Sequence, residues 1–171
     1  YIKRLINGMQ RFFDEKQRIR WGIVQKQDDS LIGHCGFFDI ELARWVKSVK
    51  GIDVESKYIR LADKVKEFLN IENVSFIKGN FIDIKERFDA VFSLGVHNYI
   101  FDSGISKEDY VKKLMELTKD NGYIFFESHG LSSDGIQFMD VCSIFEQFGM
   151  KIVYSAYSGE DGDRRVVVLQ R

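Results

Sequence analysis

Two hydrophobic periods alternate along this chain. Residues 1–26 place Ile2, Leu5, Ile6, Met9, Phe12 and Phe13 at the i, i+3, i+4, i+7 spacing of one helix face. Arg4, Arg11 and Arg18 recur every seven residues on another face. From Asp28-Asp29 onward, short apolar runs alternate with stretches of helical period. Strands are predicted at Ser30–His34, Ser48–Asp53, Val74–Lys78, Asp89–Leu94 and Tyr123–Glu127. Helices are predicted at Phe38–Lys47, Lys57–Asn70, Ser106–Lys119 and Ser133–Phe148. Ser106-x-x-Asp109 has the form of a capping box, and Asn121-Gly122 is a stop signal. Two last strands, Lys151–Tyr157 and Arg165–Gln170, flank a turn-rich Ser-Gly-Glu-Asp-Gly-Asp segment.

Strand–helix alternation means βαβ units, and hence a mostly parallel sheet with helices on both faces. The terminal hairpin brings one antiparallel strand into it. The expected organisation is a helical lead-in at 1–28 followed by one domain at 29–171.

Composition narrows the class. The 171 residues suffice for one core without disulfide or metal staples. No apolar run approaches the roughly 18 residues of a membrane span. With 25 basic and 26 acidic side chains, the net charge of −1 gives little attraction for nucleic acid or anionic lipid. Cys35 and Cys142 form no CxxC motif, which fits free thiols and a cytoplasmic setting.

Ligands of open parallel sheets bind outside the carboxyl ends of the strands. The residues that follow the predicted strands are therefore the candidates: Gly33-His34-Cys35-Gly36, Asp53, Gly79-Asn80-Phe81, Leu94-Gly95-Val96-His97-Asn98, and Glu127-Ser128-His129. All three histidines of the chain fall in this set. Gly33 and Gly36 allow close approach of a ligand to backbone and helix N-terminus. Asp53 lies 17 residues after Gly36, where a carboxylate can accept both hydroxyls of a ribose; the plainer readings are a cap for the next helix or a solvated loop residue. Asn80 can read an adenine edge or simply build a turn. His97 and His129 can serve as general bases or as ordinary hydrogen-bonded residues. No ligand spacing for a metal is present.

These residues resemble a known family. Leu31-Ile-Gly-His-Cys-Gly-Phe-Phe-Asp-Ile-Glu-Leu-Ala-Arg44 resembles the glycine-rich first motif of class I S-adenosylmethionine-dependent methyltransferases. Val49-Lys-Gly-Ile-Asp53 is similar to their second strand, Phe76-Ile-Lys-Gly-Asn-Phe-Ile-Asp83 to the segment that meets adenine, and Phe88-Asp-Ala-Val-Phe-Ser-Leu-Gly-Val-His-Asn-Tyr-Ile100 to the strand and loop bordering the methyl group. The terminal hairpin resembles the family's sixth and seventh strands.

The resemblance implies an α/β, Rossmann-like, seven-stranded sheet with an antiparallel last strand. It implies S-adenosyl-L-methionine as cofactor, held by Gly33, His34, Gly36, Asp53, Val54, Asn80, Phe81, Leu94 and Gly95. It implies methyl transfer to an oxygen or nitrogen of a small molecule or glycan, with His97 the first candidate for a base and His129 the second. The first motif departs from the family pattern: Ile32 and His34 stand where glycines are usual, and Ser30 where an acid is usual. Two alternatives follow. A degenerate member would only bind a partner. An NAD-binding Rossmann domain would place Leu31 at the first glycine of its fingerprint, and the terminal hairpin disfavours it.

Overall fold

The computed structural model describes residues 37–128, 130–158 and 162–171. The lead-in helix and the strand predicted at Ser30–His34 lie outside these residues. The fold divides into two compact units that meet in sequence between Asp83 and Ile84.

The first unit holds helix α1 (Phe37–Ala43), strand β1 (Val49–Asp53), helix α2 (Ser56–Phe68), strand β2 (Val74–Lys78) and a single 3₁₀ turn at Phe81–Asp83. β1 and β2 pair in parallel, Gly51 opposite Phe76 and Asp53 opposite Lys78. The predicted βαβ order is thus present, with α2 as crossover. Ile40 and Ala43 of α1 meet Val74 of β2 in a small core, joined by Val49, Val65, Ile71 and Phe76. α1 stops earlier than the predicted Lys47. The Asn73 amide donates to the carbonyls of Ala43 (2.7 Å) and Val46 (3.0 Å). That long-range cap satisfies carbonyls a helix end leaves open. Gly51 permits a close approach: a Cβ there would lie 2.7 Å from Cδ1 of Phe76, so a larger residue would push the ring aside.

The second unit holds β3 (Phe88–Leu94), the short helix α3 (His97–Asp102), α4 (Lys107–Leu117), β4 (Thr118–Glu127), α5 (Leu131–Gln147), β5 (Lys151–Ser158) and β6 (Arg164–Gln170). Its sheet runs in the order β3-β4-β6-β5. β3 and β4 are parallel, while β6 runs antiparallel to both β4 and β5. The antiparallel strand expected from the terminal hairpin is therefore present, inserted between two others.

Ile124, Phe125 and Phe126 of β4 and Val166, Val167, Val168 and Leu169 of β6 are all buried without alternation, as strands covered on both faces must be. Tyr110, Val111, Leu114 and Leu117 of α4 and Phe138, Val141 and Phe145 of α5 are buried with them. Phe126 stacks on Phe138 at 4.9 Å and meets the Phe145 ring edge-on at 5.9 Å. The hydroxyl groups of Ser93 and Tyr110 share a buried hydrogen bond. Ser106 caps α4 as the sequence predicts, although the return bond of a capping box goes to its hydroxyl and not to its amide. Ser106 Oγ accepts from the Asp109 amide (3.0 Å) and donates to its carboxylate (2.8 Å).

Each unit is α/β with parallel strands in a Rossmann-like pattern, and the second carries the antiparallel last strand. No helix among the described residues is long and apolar enough to cross a membrane.

Candidate active site at the carboxyl ends of the strands

In the first unit, the ends of β1 and β2 are joined by the Gly79 amide, which donates to the Asp53 carbonyl at 3.0 Å. This brings Asp53 and the Gly79-Asn80-Phe81 turn to one edge. The Asp53 side chain is half-buried, and its Oδ1 accepts from the Glu55 amide at 2.7 Å. That bond orients the carboxylate, and its second oxygen is engaged by no donor among the described residues. Glu55, not Asp53, occupies the cap position of α2, and no side chain caps that helix. A pre-oriented carboxylate with one open oxygen suits a vicinal diol, so the donor chemistry fits a ribose.

Val54 beside it is 60% exposed. Asn80 is exposed. Its Oδ1 accepts from the Ile82 amide (3.2 Å) and its carbonyl from the Asp83 amide (3.0 Å). The turn role weighed for Asn80 is therefore real, and it leaves the amide nitrogen to donate elsewhere. Phe81 is half-buried at the start of the 3₁₀ turn.

Gly33, His34 and Gly36 lie outside the described residues, as does His129.

In the second unit, β3 ends at Leu94, which is half-buried. Gly95 follows with φ of +64°, a left-handed conformation that a side chain would strain. Its amide donates to the Glu127 carbonyl at 3.1 Å, extending the β3–β4 ladder by one bond. The chain then enters α3 at once.

His97, the first candidate for a base, is buried. Its ring is 0% exposed, 5.1 Å from Phe126 and 5.8 Å from Phe101, edge-on to both. The cause is local. The segment after β3 is a helix and not a loop, so its first residue turns inward while Val96 and Tyr99 stay 43% and 67% exposed.

Sequence reading also left out what surrounds Glu127 and Ser128. Glu127 pairs with Arg164 at 3.5 Å, and the Ser128 hydroxyl accepts from the Arg165 amide at 2.9 Å. Both partners come from β6, 37 positions away. No local spacing announces them. Among the described residues no group of three or more His, Cys, Asp or Glu is placed to hold a metal ion.

The order of elements, the antiparallel strand and the acid at the end of β1 define a protein of the nucleotide-cofactor-binding α/β class. Residues 35–161 match the family described as Methyltransferase domain, and the chain belongs to that family. A search of curated protein sequences finds no match.

Among solved structures, the chain is similar to the N-methyltransferase NodS from Bradyrhizobium japonicum WM9, at 17% identity, a TM-score of 0.67 and 80% coverage of each chain. It is also similar to a SAM-dependent methyltransferase from Aquifex aeolicus, at 17% identity and a TM-score of 0.61, covering 79% of this chain and 76% of that one. Magnesium protoporphyrin IX methyltransferase (ChlM) from Synechocystis PCC 6803, with bound SAH, gives 18% identity and a TM-score of 0.59 over 78% of this chain and 68% of that one. The protein is a methyltransferase by family, with the fold of S-adenosylmethionine-dependent members, and the NAD-binding alternative is not retained.

Proposed function

We infer that the chain transfers the methyl group of S-adenosylmethionine to an oxygen or nitrogen of a small molecule or glycan. The observation that carries the cofactor part is Asp53, a half-buried carboxylate oriented by Glu55 at the end of β1, inside the segment that matches the family.

In this reading Asp53 and Val54 receive the ribose, and Asn80 and Phe81 meet the adenine. Gly33, His34 and Gly36 give close approach to the backbone, and Leu94 and Gly95 border the methyl end. The cofactor, when bound, supplies an electrophilic methyl on a sulfonium sulfur. The chain's own work is to align an acceptor with that carbon, which is where most of the rate comes from in such a displacement.

Where the acceptor must lose a proton, the candidates from the sequence are His97 and His129. A base needs hydrogen-bond reach of its substrate, directly or through one water. The burial of His97 favours His129 for that role. The near-neutral overall charge supports a small molecule or glycan over a nucleic acid. So do the similar structures, one an N-methyltransferase and one a methyltransferase of magnesium protoporphyrin IX. The free, buried thiol of Cys142 suits the cytoplasm.

Calorimetric titration of the full chain with S-adenosylhomocysteine, and in parallel with NAD, tests the cofactor. Saturable one-to-one binding of the first and none of the second is expected. Binding of NAD alone, or of neither, overturns the assignment. A screen of phenols, amines and amino sugars with labelled S-adenosylmethionine then tests the acceptor class. Transfer to nucleic acid alone would overturn it.

A further inference from the structure

We propose that His97 is a positioning residue: its buried ring is the peg that fixes the segment after β3, and with it the Leu94–Gly95 backbone read above as bordering the methyl end of the cofactor.

The argument begins with the length of α3. Six residues are too few to form a stable helix by themselves, so tertiary contacts must hold it. Of those six side chains only His97 is buried. Val96 before it and Tyr99 after it are largely exposed. The imidazole is thus the one fully buried hold that α3 has on the rest of its unit, beside the half-buried Phe101.

That imidazole is well seated. It meets Phe126 edge-on at 5.1 Å and Phe101 at 5.8 Å. Phe126 stacks on Phe138 of α5, and Phe101 meets Tyr110 of α4 edge-on at 5.4 Å. Tyr110 in turn shares its hydroxyl bond with Ser93 of β3. The ring at position 97 thus sits in an aromatic cluster that joins β3, β4, α4 and α5.

Two residues upstream, Gly95 turns through its left-handed φ and donates to the Glu127 carbonyl. A short lever results. With the ring seated, the 95–98 backbone has one position. With the ring removed, α3 keeps no fully buried side chain and the backbone before it is released. The role rests on ring packing, so an apolar ring should reproduce it. A proton-transfer role would not be reproduced.

This inference rests on the cofactor reading, and its test keeps the two apart. Backbone hydrogen exchange, made without ligand, compares the wild type with His97→Ala and His97→Phe. In the Ala variant, exchange across 95–102 should rise at least tenfold while Ile124–Phe126 and Val166–Leu169 keep their protection. The Phe variant should stay near the wild type. S-adenosylhomocysteine affinity should fall about tenfold in the Ala variant and stay within threefold in the Phe variant.

His97→Leu, which fills the space without a ring, replaces the Ala variant should that one fail to fold, with the same direction and a smaller effect. Unchanged exchange across 95–102, unchanged affinity in the Ala or Leu variant, or failure of Phe to restore both readouts overturns the proposal. Absence of S-adenosylhomocysteine binding by the wild type overturns the cofactor reading instead, and the ligand-free exchange data show which has failed.

Discussion

Asp53 and Cys142 show how burial and a single bond decide what a side chain can do. The Asp53 carboxylate is turned by Glu55 before any ligand arrives, so little ordering remains to be done on binding. Asp53→Ala should weaken S-adenosylhomocysteine binding by about 1–3 kcal/mol, the scale of a charge-assisted hydrogen bond. Calorimetry on the folded variant checks this, and equal affinity would remove the ribose assignment. Cys142 is the opposite case, a thiol that burial keeps neutral. Burial pushes it from 9.0 up to about 12, against a smaller opposing pull from Arg165. The unfolded chain ionises its thiol above pH 9 while the folded chain does not. This contribution is therefore fully present below pH 9 and is lost as pH rises towards 12. Each unit corresponds to about 1.4 kcal/mol, so the loss is on the order of 2 kcal/mol by pH ~10.5. Urea unfolding of wild type and Cys142→Ala near pH 8 and pH ~10.5 should show their stability difference shifting by that amount in favour of the variant. A pH-independent difference would mean that the thiol is not shielded.

Elements differ in how far the chain announces them. β1, β2, α4 and the terminal hairpin were legible because their signals are local: an apolar run, a capping box, a turn-rich link. α3 was not, because six residues hold less than two turns and show no period. The consequence reaches the site, since His97 opens this helix and lies in an aromatic core. α5 was predicted from Ser133 but starts at Leu131, and the reason is non-local. Asp163, from the segment before β6, accepts from the Leu131 amide with its carbonyl (2.6 Å) and from the Ser132 amide with its carboxylate (3.2 Å). No side chain on the helix's own flank caps it. A carboxylate at a helix N-terminus gains from both the open amides and the helix dipole. Asp163→Ala should therefore cost roughly 1 kcal/mol of stability, and Asp163→Asn less, because the amide oxygen keeps the hydrogen bond. Denaturant midpoints of the three proteins at one pH check the order. Equal midpoints would show that Gly130 and Ser133 hold the turn without it.

At the scale of the whole molecule, charge is divided unevenly although the total is near zero. Residues 1–26 hold 7 basic and 2 acidic side chains, which leaves 18 basic and 24 acidic ones in the remainder. An anionic cofactor or a polyanionic partner would meet a net-acidic body, whereas S-adenosylmethionine carries a sulfonium cation and meets no such barrier. Composition and strand order made the class legible at this scale, and the family match over 35–161 agrees with it. The acceptor was not legible, since nothing in a strand end encodes what stands opposite the methyl group. What the whole chain should register is the cofactor as a stabilising ligand. A ligand that binds only the folded state adds RT ln(1 + [L]/Kd), about 2.7 kcal/mol at a hundredfold excess over Kd. For a chain of this size each kcal/mol raises Tm by roughly 2–4 °C. S-adenosylhomocysteine at that excess should therefore raise Tm by about 5–11 °C, and NAD at the same concentration should leave it unchanged. Asp53→Ala at the wild-type ligand concentration should show a smaller rise, because its Kd is higher and the same excess is no longer reached. A scan with equal shifts for both proteins would separate Asp53 from the cofactor. A shift with NAD and none with S-adenosylhomocysteine would separate this chain's ligand from that of its family.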